Sequence, residues 1–232
     1  MGISTCKTAQ NFLLPNMQQN NMKWEEAKKI MGKNFIGPDE LNSIAEKLHI
    51  APIKTVPAVP YDVQVLMKES KHYVLILGVT KSEDGRPLTL NAMRNFFGLD
   101  PAIFEPCFYN QDWYLKEKFA NVTTLKMRWY LLRIQVAKET RAIRPDLLEE
   151  KFKNGEKFPT AILTAFTFFA YYFLNNKALL WKHDFIWCSD KDKNGDRIYT
   201  GRYQDRKKNN KNGFNIHRHL AIRSVYGAVT QF

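Results

Sequence analysis

The sequence predicts an α+β fold, a mixed, twisted sheet around a buried aromatic helix, preceded by a small helical N-terminal segment. Three observations lead there. From Pro159 to about Asn176 the chain is apolar on nearly every side and carries no charge, the pattern of a helix enclosed by a core. Tyr73-Val-Leu-Ile-Leu77 and Trp129-Tyr-Leu-Leu-Arg-Ile-Gln-Val136 are short runs rich in branched and aromatic residues, which suits half-buried or buried strands. The 232 residues are 44% hydrophobic and 13% aromatic, enough to bury a sizeable core.

Residues 1–22 are rich in Asn and Gln, show no period and read as a loose tail. A helical segment with a Pro-rich linker follows over 23–55, and the main domain over 56–232. Within the segment, Met22–Met31 and Pro38–Leu48 are two helices. Pro38 suits a first helical position, and Asp39 and Glu40 suit the helix dipole. Pro52, Pro57 and Pro60 make Ala51–Pro60 an extended connection. Tyr61–Glu69 reads as helix, and Tyr73–Leu77 as a strand ending at Gly78. A turn at Asp84-Gly85 leads to a helix over Leu88–Phe97, stopped by Gly98. After the Trp- and Tyr-dense stretch and the strand from Trp129, Asp146–Phe152 makes a short acidic helix. Beyond the long helix the character is β: Phe185–Cys188 and Arg197–Arg202 flank an Asn194-Gly195 hairpin signal, and strands are expected over Phe214–Ile222 and Tyr226–Val229. Four of the five tryptophans, Trp113, Trp129, Trp181 and Trp187, are expected to be framework.

The net charge is +12, and half of the excess falls between Asp190 and Arg223, where ten Lys/Arg face four Asp. Such a field favours an acidic partner, nucleic acid among them. Cys6, Cys107 and Cys188 form neither a disulfide framework nor a CxxC pair, which fits a reducing cytoplasm. No signal-peptide pattern opens the chain, and its longest apolar run is too short for a membrane span.

The motifs argue against an enzyme. Asp190-Lys-Asp192-Lys-Asn194-Gly195-Asp196 copies the opening of a calcium loop. The position that should hold the bidentate Glu is Gly201, however, and no Glu follows Glu156. A polar hairpin turn is the better reading. Ile198-Tyr-Thr-Gly201 echoes a GIY-YIG nuclease without its later catalytic Glu. His217 and His219 alternate along a strand, with no third ligand at zinc spacing. No catalytic residue, metal or cofactor is expected.

The order of Asp112-Trp113-Tyr114, Lys116-Glu117, Phe119-Ala120, then Trp129 with Leu131 and Arg133, resembles a known family. So do Pro159-Thr-Ala161 before the aromatic helix, Ser189-Asp190, Gly195-Asp196-Arg197 and Tyr199-Thr-Gly201. The stretch from Tyr61 to Phe232 is similar to the variable target proteins of diversity-generating retroelements and their fixed relatives. The resemblance implies a C-type-lectin-like fold, related to the formylglycine-generating-enzyme fold, whose C-terminal segment displays an exposed binding face. Several Lys codons and the missing polar run after Ile216 point to a fixed relative.

The expected function is non-enzymatic recognition of a protein or glycan ligand through a basic, Asn- and aromatic-rich C-terminal surface. The residues expected to make contact are Tyr203, Arg206, Lys207, Lys208, Asn209, Asn210, Asn212, Asn215, His217, His219 and Arg223. Lys and Arg supply charge, Asn both donors and acceptors, and the rings flat contact area. The alternative is an accessory nucleic-acid-binding protein that uses the same tract on phosphates.

Overall fold

The computed structural model describes residues 22–152, 155–203, 213–218, 222 and 224–232. It has an α+β fold with two mixed sheets where the sequence suggested one. The loose tail over 1–21 lies outside the described residues.

The first half opens with helix α1 (Trp24–Met31) and a short strand β1 (Phe35–Ile36), followed by α2 (Pro38–Ser43) and α3 (Ala45–Leu48). The single helix expected over Pro38–Leu48 is thus interrupted at Ile44, whose ψ of 15° leaves the helix. Ser43 contributes, because its hydroxyl donates to the Glu40 carbonyl (2.7 Å), a local bond that competes with the helical ladder. The Pro-rich connection is packed down. Asn42 bonds both the N–H and the C=O of Ile53, Trp129 Nε1 donates to the Pro57 carbonyl (2.8 Å), and Ile53 and Val59 are buried.

Helix α4 (Val63–Glu69) leads into β2 (Tyr73–Leu77), and then come α5 (Leu90–Phe97), α6 (Lys118–Asn121) and β3 (Trp129–Arg133). The first sheet has the order β1-β2-β3, parallel then antiparallel. Strand β3 stops at Arg133, short of the expected Val136, because its register partner there is Tyr73, the first residue of β2. The N-terminal segment supplies β1 to this sheet, and its Met31, Phe35, Leu41 and Leu48 share one apolar cluster with residues as distant as Val229.

The second half runs α7 (Pro145–Glu149), α8 (Ala161–Leu174), β4 (Phe185–Lys191), β5 (Arg197–Tyr203), β6 (Gly213–His217) and β7 (Tyr226–Gly227). The second sheet has the order β6-β5-β4-β7. Its strand alternation sorts side chains between two cores. Ile186, Cys188, Ile198, Phe214 and Ile216 join the main cluster with α8, whereas Trp187, Tyr199 and Tyr226 join Leu148 and Phe158 in a smaller one. Helix α8 is buried from Ala161 to Tyr172, as its all-round apolar sequence requires. Thr160 caps it by accepting from Leu163 N–H.

The chain end ties the sheets together. Arg133 N–H donates to Thr230 and Phe232 N–H donates to Leu131, so residues 230–232 line the free edge of β3. Tyr61 fastens them further, since its hydroxyl donates to the Phe232 main-chain oxygen (2.7 Å) and accepts from Leu131 N–H (3.2 Å). Burial pushes that phenol up to about 12. Trp129, Trp181 and Trp187 are buried and Trp113 is half-buried, in keeping with a framework role. Among the described residues no helix is long and apolar enough to cross a membrane.

Candidate functional site

The expected contact tract is set between two strands. Tyr203, the last residue of β5, pairs with Gly213, the first residue of β6. Residues 204–212 therefore leave and rejoin the sheet at one rung of the ladder. Arg206, Lys207, Lys208, Asn209, Asn210 and Asn212 belong to that stretch and lie outside the described residues, as do His219 and Arg223.

Strand β6 is held on both flanks. On one side it pairs antiparallel with β5 from Tyr199↔His217 to Tyr203↔Gly213. On the other, Phe214 N–H donates to the Cys107 carbonyl (2.8 Å) and Tyr109 N–H donates to the Phe214 carbonyl (3.0 Å). Farther along, Trp113 Nε1 donates to the Ile216 carbonyl (3.0 Å), and the Arg218 guanidinium lies over the Trp113 ring, 4.7 Å from its centroid. Gly213 makes the near flank possible. Its φ is +146°, and a Cβ there would fall within 2.6 Å of Phe108 C and Tyr109 Cα. Just before the tract, the buried Arg202 bonds the Glu105 carboxylate through Nη2 (2.8 and 3.0 Å).

Two expected contact residues, Asn215 and His217, are described, and they differ in exposure. Asn215 is 1% exposed, and its Nδ2 donates to the Gly213 carbonyl (3.1 Å). With almost none of its surface open to solvent, this Asn is corrected from the contact face to the interior. His217 is half-buried. Its ring stacks on Tyr199 at 5.3 Å, meets Phe185 edge-on at 6.0 Å, and has Gln111 Nε2 3.2 Å from Nδ1.

Burial holds the His217 imidazole below its ordinary value of 6.5. The unfolded chain takes up a proton first as pH falls, so the stability owed to neutral His217 is complete above 6.5 and lost as pH falls through the folded pKa. Melting temperatures compared at about pH 7.5 and about pH 5 should fall more steeply for the wild type than for His217→Gln. Equal slopes would show that His217 titrates no differently in the folded and unfolded chain.

The Asp-rich turn serves the β4–β5 hairpin. Asp192 Oδ1 accepts from Asn194 N–H and Asp196 N–H (both 2.9 Å), and Gly195 adopts φ +89°. Asp192 Oδ2 accepts from Arg218 Nη1 (2.7 Å). Burial pushes the Asp192 carboxyl up, but Arg218 and the two N–H groups outweigh it and hold the group below the usual carboxylate range. Asp190 is turned elsewhere, accepting from Ala161 N–H at the amino end of α8 (2.6 Å). Burial raises its pKa against that bond.

The clamp formed by Gln111, Trp113 and Arg218 is what sequence reasoning missed. Gln111 and Trp113 lie about a hundred residues before Arg218 in sequence and come to it where residues 107–109 pair with β6. Elsewhere, an open cleft of about 300 Å³ is lined by Thr89, Asn91, Asn95, Phe96 and Asn121 among others, none of them from the C-terminal hairpin. No protein-family model, curated protein or solved structure matches the chain.

Proposed function

We propose that the protein is a non-enzymatic binding protein with a C-type-lectin-like frame, a cytoplasmic relative of the variable target proteins. It engages a macromolecular ligand through the basic, Asn-rich tract between Tyr203 and Arg223. The observation that carries this reading is the Tyr203↔Gly213 rung. It gives a polar nine-residue stretch a fixed point of departure and return on a strand clamped from both flanks. Polar stretches joined to a packed frame at both ends are a common basis of recognition. The buried thiols fit the compartment: burial pushes Cys107 up to about 12 and Cys188 still higher, which leaves both unreactive.

Nucleic acid is the second reading, favoured by four cations against one acid, Asp205, within residues 204–212. Binding of the purified protein to single-stranded DNA, to sulfated and neutral glycans and to acidic peptides, followed over a salt series, separates the two. Phosphate-dominated binding weakens steeply with salt, whereas a glycan or protein complex built on hydrogen bonds and ring contacts weakens little. Substituting Arg206, Lys207, Lys208 and Lys211 by Gln, and Asn209, Asn210 and Asn212 by Ala, should lower affinity for the bound probe by about 10-fold or more. Unchanged affinity would refute the tract as the contact surface.

A further inference from the structure

A second cationic surface lies on described residues outside the tract. In two stretches of chain, lysines alternate with acids: Lys116-Glu117-Lys118 and Asp190-Lys191-Asp192-Lys193. In sequence the four cations and three acids nearly cancel. The fold separates them. Lys116, Lys118, Lys191 and Lys193 are all exposed, while Glu117 and Asp192 are buried at 7% and 6% exposure and Asp190 is half-buried.

Each carboxylate is answered from within. Glu117 Oε2 accepts from Lys193 N–H (3.0 Å), which also brings the hairpin turn up against the 116–118 segment. Asp192 is met by Arg218 and two turn N–H groups, and Asp190 by Ala161 N–H. Among the described residues, none of the four lysines has a carboxylate oxygen within 4 Å. Asp112, exposed, and Asp196, half-buried, flank the face. Like charges gathered without exposed partners raise one another's energy, and a polyanion relieves that cost.

We infer that this lysine face binds the phosphate backbone of a nucleic acid. The inference rests on the second reading above, nucleic acid, and places a contact for it on the hairpin turn and the 116–118 segment. Lysine suits the role, because its ammonium is a mobile point charge that needs no fixed bidentate geometry. A membrane surface fits less well, since neither stretch exposes a large apolar side chain to enter acyl chains. Arg218, bonded to Asp192, joins the face to the end of β6.

The test is fluorescence anisotropy of a short labelled single-stranded DNA between about 50 and 200 mM salt. It compares the wild type, the variant Lys116→Gln/Lys118→Gln/Lys191→Gln/Lys193→Gln and the tract variant described above. The wild type should bind, and the slope of log K against log salt should be shallower in the lysine-face variant by about 0.7 for each phosphate no longer neutralised, about 3 if all four lysines engage phosphates. Its circular dichroism and melting should match the wild type, because all four side chains are exposed. Equal slopes for wild type and lysine-face variant would overturn the inference, as would preference for phosphatidylserine vesicles over DNA. If the tract variant alone loses the DNA, the binding function stands and the lysine face falls. If the wild type binds a glycan or peptide but not DNA at about 50 mM salt, the inference likewise falls while the function stands. Failure to bind any of these probes overturns both.

Discussion

Phe169→Ala should cost about 3–5 kcal/mol of unfolding free energy, the range for deleting a buried aromatic ring. The residue is fully buried and stands where four parts of the fold meet. Its ring stacks on Phe97 of α5 at 4.0 Å and on Phe108 at 5.1 Å, meets Phe168 edge-on at 5.4 Å, and lies 6.2 Å from Phe214 of β6. Truncation strips packing from all of these together, and a rigid helix cannot close the space left behind. Chemical denaturation should show the loss as a lower midpoint with an unchanged slope. A loss below about 1 kcal/mol would mean that the site collapses freely and that α8 is not the packed centre described above.

Gly213→Val should be nearly as damaging, by about 3 kcal/mol or more, from two separate causes. The φ of +146° is strained for any residue with a Cβ, and the new carbon would be driven into the Phe108–Tyr109 backbone. The strand can escape only by moving away from residues 107–109, which breaks the hydrogen bonds of Phe214 N–H and Tyr109 N–H. Hydrogen exchange should therefore quicken first at Tyr109 and Phe214. Wild-type melting in this variant would show that the clamp on β6 is dispensable.

Much of the frame was legible in the amino-acid order. Tyr73–Leu77 is a strand end for end, and the charge-free helix is buried as its composition demands. Local chemistry sufficed there because both elements are enclosed on all sides. Where the outcome depended on a distant partner, the sequence was silent. The length of β3 is set by where β2 begins, and the tie between the two sheets depends on residues 230–232 reaching the edge of β3.

The same limit applies at the site. Asn215 has the composition of a contact residue, but it sits opposite Gly201 of β5 and is buried, and nothing near Asn215 in sequence announces that. The alternation of lysines and acids at 116–118 and 190–193 was visible. Which set would face solvent was not, because the bond from Lys193 N–H to Glu117 joins two stretches 76 residues apart.

The central claim is that a rigid frame carries a separable contact tract. The most direct test measures melting temperature and probe affinity together in the protein with residues 206–212 substituted as above. Melting is expected within about 2 °C of the wild type, as for surface changes of a few tenths of a kcal/mol, together with loss of binding. Unfolding of the variant would show the tract to be structural, and retained binding would place the contact surface elsewhere; either result contradicts the claim.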